Sequence, residues 1–142
     1  MPPLRSLVLL AGVGQIALVL ASLAIPRVLR FAEETAKLRP LLRQMFWTYA
    51  GYILCTNLCF GLLSALRPGW LLDGSPLAAA VTGFIALYWT ARVVIQFTYF
   101  DRSDAPSGAH VRLAEALLVV LFVYLAAVYG SAFVANLRGR AG

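Results

Sequence analysis

One arginine stands inside an apolar run long enough to cross a bilayer. Residues 76–100 carry a single charged side chain, Arg92. A guanidinium at such a position costs about 2.5–3.5 kcal/mol on insertion scales. A partner, a polar cavity or snorkelling of the long side chain toward water offsets that cost. At about 100° per residue, Tyr88, Arg92, Gln96 and Tyr99 fall within roughly 40° of one line. Val81 and Ile85 continue the line in the other direction, so the polar stripe takes one half of the segment. Glu115 lies about one turn inside the next apolar run, which must return antiparallel. Arg92 is roughly 12 Å from its end of the helix and Glu115 roughly 5–8 Å from the matching end. A buried Arg92–Glu115 pair is therefore expected, with Arg112 at i−3 as a competing partner for the carboxylate. Asn57, with Gly61 and Ser64 on its face, adds a polar group at mid-depth on the second run. The expected buried polar cluster is Tyr88, Arg92, Gln96, Glu115 and Asn57. Such a cluster either joins helices by hydrogen bonds or lines a pocket for an anionic headgroup or cofactor.

Other chemistry is sparse. Cys55 and Cys59 are the two cysteines. Their spacing is neither a zinc knuckle nor a redox pair, and they read as small buried hydrophobes. His110 is the single histidine and falls in an expected loop. No protein-only metal site is expected from this set, and no resident cofactor. No nucleophile–base pair or phosphate loop is legible.

The elements that must hold these residues follow from hydropathy. Of 142 residues, 61% are hydrophobic and 13% charged, against about 25% charged in an ordinary soluble domain. A spanning helix needs about 20 apolar residues. The expected fold is an all-α, integral-membrane four-helix bundle in one domain, with spans at 7–25, 44–66, 76–100 and 112–134. The first span resembles a signal peptide around Ser22 and Ala24. Its long apolar run, followed by Pro26, favours an uncleaved anchor. Between the first two spans, Val28, Phe31, Ala32 and Thr35 are spaced to line one face of a short amphipathic helix. Arg30–Glu34 and Glu33–Lys37 are i, i+4 pairs on its other side. Trp47, Tyr49 and Trp70 suit the interfaces. Arg67-Pro-Gly-Trp70 stops the second span, and Ser75-Pro76 reads as an N-cap opening the third. The stretch 101–108 is a turn. Small residues recur four apart at Ala17/Ala21, Gly61/Ala65, Ala79/Gly83 and Ala126/Gly130, a spacing that lets helices approach closely in lipid.

The net charge of +6 does not indicate nucleic acid, because the basic residues gather at segment ends, where lipid headgroups meet them. The first loop holds Arg27, Arg30, Lys37, Arg39 and Arg43, and the third holds Arg102 and Arg112. These seven face four on the other side: Arg5, Arg67, Arg138 and Arg140. The positive-inside rule then places the first and third loops in the cytoplasm and both termini outside. A bacterial inner membrane is the expected location. The expected partners are the bilayer and either a second copy or another membrane protein.

The run Thr82 to Tyr99, then Val111-Arg-Leu-Ala114, resembles the third helix and the start of the fourth in the MAPEG superfamily of membrane glutathione transferases and leukotriene synthases. Four spans, about 140 residues, outside termini and a basic first loop are similar too. The resemblance implies a glutathione site that includes Arg92 and Tyr99, with Arg112 stabilising the thiolate. It also implies that Asn57 and Gln96 orient the peptide part of glutathione. Ile53 and Phe60 stand where that family's second helix has Arg and Glu, and Ile95 replaces a tyrosine.

Three functions follow from these residues. The first is a non-catalytic accessory subunit or lipid- or cofactor-binding bundle. The second is a MAPEG-like thiol-transfer enzyme, and the third an oligomeric channel or carrier. The direction in which Arg92 points discriminates among them. Reporter fusions or cysteine labelling at both ends should find both termini outside; a cytoplasmic C-terminus rejects this topology.

Overall fold

The computed structural model describes residues 3–101, 103 and 108–141, and of the last two of these only the backbone. Arg102 and residues 104–107 of the expected third loop lie outside the described residues, as does the side chain of Arg140. Helices α1 (Leu4–Ser22), α2 (Ile25–Val28), α3 (Phe31–Thr35), α4 (Pro40–Leu66), α5 (Pro76–Thr98) and α6 (Ala109–Ala141) follow in chain order. A 3-10 turn, Pro68–Leu71, precedes α5. The chain is all-helical among the described residues, and four stretches are long and apolar enough to span a membrane: Leu4–Val28, Pro40–Leu66, Pro76–Thr98 and Ala109–Gly139. Each overlaps an expected span. The last starts earlier than expected, so His110 sits in the first turn of α6 rather than in a loop.

Local chemistry explains the boundaries. The Ser75 hydroxyl accepts a 3.0 Å bond from the Ala78 N–H and caps α5, with Pro76 at the first helical position. Pro68 and Gly69 end α4 in the 3-10 turn, and the Arg67 guanidinium stacks 5.4 Å from the Trp70 ring. The stretch after α1 departs from the single amphipathic helix expected there. Arg30 adopts a left-handed conformation (φ 53°) and splits α2 from α3. The break removes Val28 from the face shared by Phe31 and Thr35, and Val28 is exposed. It also changes the ion pairs. Arg30 pairs with Glu33 at 3.8 Å and Lys37 with Glu34 at 2.9 Å, both at i, i+3 instead of i, i+4. Phe31 instead packs edge-on against Phe46 and Trp47 at the start of α4.

Helices α1 and α4 form one antiparallel pair and α5 and α6 another, and a seam between α1 and α6 joins the pairs. Backbone contact sets the first pair. A Cβ added at Gly12 would lie 2.4 Å from the Ala65 N and 2.8 Å from the Gly61 O. The Gly61/Ala65 spacing thus does what small residues do in lipid-facing bundles, with Gly12 as its unforeseen counterpart. In the second pair Ala79 is buried and Gly83 receives the Phe133 ring. Ala17 and Ala21 are exposed; of Ala126 and Gly130, Ala126 packs against the core and Gly130 faces open space.

Burial is lopsided along the bundle. Buried positions run from Val8 to Val19 on α1, from Asn57 to Ser64 on α4, from Ala78 to Trp89 on α5 and from Phe122 to Asn136 on α6. None falls in 40–56, 90–98 or 109–121. The half toward the termini is therefore packed on all four helices, while the half toward the first and third loops is open. Gly12→Ala should destabilise the protein by about 1–3 kcal/mol, because the backbone of α4 must move to admit the methyl. Gly130→Ala, with nothing within 4 Å, should not. Denaturant unfolding of both variants in micelles checks the contrast.

Candidate functional site

Three polar groupings lie at successive depths along the bundle. At the end bearing the termini, Asn136 is 1% exposed. Its Nδ2 donates to the Leu71 O at 2.8 Å and to the Thr82 Oγ1 at 3.3 Å, and its Oδ1 accepts from the Gly74 N at 3.0 Å. One side chain thereby fixes the 3-10 turn and the start of α5 to the far end of α6.

The central grouping draws one residue from each long helix. Gln15, Ser64 and Tyr129 are wholly inaccessible and Trp89 nearly so. The Gln15 Nε2 donates to the Tyr129 Oη and to the Ala11 O. The Tyr129 hydroxyl is also bonded to the Ser64 Oγ, and the Trp89 Nε1 donates to the Gln15 Oε1 at 3.1 Å. No buried side-chain N or O among the described residues lacks a partner. Ile85 and Leu125, both inaccessible, and Phe122 surround this network. The centre of the bundle is closed and internally satisfied.

The third grouping lies in the open half and contains the residues singled out by sequence. The Tyr88 hydroxyl donates to the Asn57 Oδ1 at 2.8 Å, tying α5 to α4. The Arg92 Nη1 donates to the Gln96 Oε1 at 3.0 Å, and the Gln96 Nε2 donates to the Glu115 Oε1 at 3.1 Å. Arg92 thus reaches Glu115 through Gln96; no direct Arg92–Glu115 ion pair occurs among the described residues. The physical reason is geometric. Gln96 sits one turn beyond Arg92 on the same face and intercepts it. The guanidinium lies between two rings, 4.8 Å from the centroid of Phe122 and 5.0 Å from that of Phe100. Tyr99 is 80% exposed against Phe100 and does not join Arg92 or Arg112. Arg92, Tyr99 and Arg112 do not converge in this subunit.

Arg112 instead lines an open groove of 450 Å³ on the outer side of the α5–α6 pair. Its polar part is Gln96, Arg112 and Glu115, and Phe97, Val119 and Val120 belong to its apolar wall. No ion pair joins Arg112 to Glu115 among the described residues, although they are three apart on one helix. On α6, Arg112 and Glu115 lie nearer the loop end and Val119 and Val120 lie deeper. Cys55 and Cys59 are free thiols on the outer face of α4, exposed rather than buried as expected. Their turn of α4 meets the bundle through Asn57 instead. No group of three or more potential metal-ligating side chains occurs among the described residues. No family model, curated protein or solved structure matches the chain.

Sequence reasoning missed Trp89 and Tyr129. A lone Gln in the first apolar span, beside a fourth span whose polar side chains at mid-depth are Tyr124 and Tyr129, is the signal available for such a pair. Tyr129→Phe should cost about 1–3 kcal/mol, the penalty for unsatisfied buried partners. Its effect should be strongly non-additive with Gln15→Leu, because both belong to one network. Unfolding free energies of the singles and the double variant measure the coupling.

Proposed function

We propose that this protein is a small, non-catalytic membrane helix bundle that holds a phospholipid against its α5–α6 face. The orientation of the groove supports this reading most directly. Its charged and amide groups lie toward the loop end, and its valines lie deeper in the span. That order matches an amphiphile whose headgroup sits at the membrane surface and whose chain points inward. The Arg112 guanidinium is suited to a phosphate, since it offers several donors in a planar fork. The groove faces the lipid, so a phospholipid reaches it by lateral diffusion without entering the bundle.

The closed centre supports a binding role over transport through one subunit. Inaccessible Ile85 and Leu125, beside the satisfied Gln15–Tyr129 network, leave no continuous polar path. The seven-to-four distribution of basic residues orients the groove toward the cytoplasmic leaflet, with both termini outside. In that leaflet, anionic lipid surrounds the basic residues of the first loop as well.

Arg112→Gln should reduce phospholipid retention about tenfold. A hydrogen bond to a charged group contributes about 1.5–3 kcal/mol, and 1.4 kcal/mol is about tenfold. Arg67→Gln, at the opposite end, should leave retention unchanged. Native mass spectrometry of the purified protein with added phosphatidylglycerol reads both. Equal retention by wild type and Arg112→Gln refutes the site. Saturable glutathione binding that depends on Arg112 would instead favour the thiol-transfer reading.

A further inference from the structure

The chain between the first two spans is ordered, basic and apolar at once. We infer that residues 25–43 form a surface anchor that docks on the headgroup layer of an anionic lipid leaflet, arginines on phosphates and leucines inserted beside them. This inference is independent of the α5–α6 groove. The segment holds Arg27, Arg30, Lys37, Arg39 and Arg43 against Glu33 and Glu34. Both acids are already used inside it, Glu33 by Arg30 at 3.8 Å and Glu34 by Lys37 at 2.9 Å. Arg27, Arg39 and Arg43 are exposed, and no ion pair joins them to a carboxylate among the described residues. Arg39 and Arg43 are four apart at the start of α4, whose first turn contains no acid. Like charges at that spacing repel, so negative charge from outside the chain stabilises the arrangement.

The apolar side chains mark that charge as a membrane's. Val28 is 62% exposed and Leu41 65%, and Leu29, Leu38 and Leu42 are exposed with them. The segment nevertheless has a fixed place. Phe31 packs edge-on against Phe46 and Trp47, and Thr35 is buried. These contacts hold the connector against the first turns of α4, between two stretches long and apolar enough to span a membrane. A water-soluble anion satisfies the arginines and leaves the leucines in water. An anionic leaflet satisfies both, with phosphates at its surface and hydrocarbon just beneath. A zwitterionic leaflet offers the same hydrocarbon without net charge, so the arginines make the choice.

The test uses the full-length protein in phosphatidylcholine liposomes, with brominated phosphatidylglycerol or brominated phosphatidylcholine as quencher. Trp47, which touches Phe31 of the connector, is the local reporter. Subtracting the emission of Trp47→Phe isolates its signal. Phosphatidylglycerol should quench Trp47 at a several-fold lower mole fraction than phosphatidylcholine, and high salt should shrink that preference. The triple variant Arg27→Gln, Arg39→Gln, Arg43→Gln should abolish it while quenching by phosphatidylcholine holds, which also shows that the variant is folded and inserted. Arg112→Gln, in the groove, and Arg138→Gln, at the opposite end, should leave it unchanged. A spin label at Leu41→Cys, in a Cys55→Ala, Cys59→Ala background, should meet oxygen more readily than a water-soluble nickel chelate. Equal quenching by the two lipids overturns the inference, as does a preference that survives the triple change. Loss of the preference in Arg112→Gln assigns it to the groove and overturns the anchor. A label at position 41 that lies in water also overturns it and favours a soluble acidic partner.

Discussion

The hydroxyl of Tyr129 is where four helices meet. It bonds with Gln15 of α1 and Ser64 of α4, and Gln15 in turn accepts from Trp89 of α5. In a hydrocarbon setting these groups have no water to return to. Helix association in lipid also lacks the hydrophobic drive that assembles a soluble core. What remains is close packing and hydrogen bonds that are satisfied only in one arrangement. Interhelical bonds of this kind contribute about 0.6–2 kcal/mol each. Their larger effect is on register, because sliding or rotating any one helix strands polar atoms on the others.

The network and the backbone contact at Gly12 act together. Gly12 and Gln15 are three apart on α1, and the first brings α4 close enough for Ser64 to reach Tyr129. The stacked pair Trp89–Phe122, 5.4 Å between centroids, closes the same level from the α5–α6 side. Beyond Phe122 toward the loops, no residue of α4, α5 or α6 is buried. The bundle is therefore fixed at one level and along the half that bears the termini. Its other half keeps two helix pairs whose outer surfaces are free to meet lipid.

The span count, the Ser75 cap and the stop at Pro68 were legible because each depends on local hydropathy or turn chemistry. The polar stripe from Tyr88 to Gln96 was legible because helical periodicity puts it on one face. The central network was not. Gln15, Ser64, Trp89 and Tyr129 are each unremarkable on their own helix, and only the register between helices brings them together. The expected Arg92–Glu115 pair illustrates the same limit. Depth along antiparallel helices placed the two ends correctly, but helix rotation decided that Gln96 would stand between them. The left-handed Arg30 was equally hidden, since Arg carries no sequence signal for that conformation.

The environment of Arg92 is sufficient within one subunit to offset its place in the span. The insertion cost is about 2.5–3.5 kcal/mol. Against it stand a hydrogen bond from a charged group, about 1.5–3 kcal/mol, and two ring contacts at about 0.5–2 kcal/mol each. Those contacts come from Gln96, Phe100 and Phe122. Arg92 then needs no direct carboxylate, and Gln96 is free to use its amide N–H on Glu115. The guanidinium is thereby held by one amide oxygen and two rings. Its neighbour Gln96 passes that order on to the Glu115 carboxylate, which lies with Arg112 in the open groove.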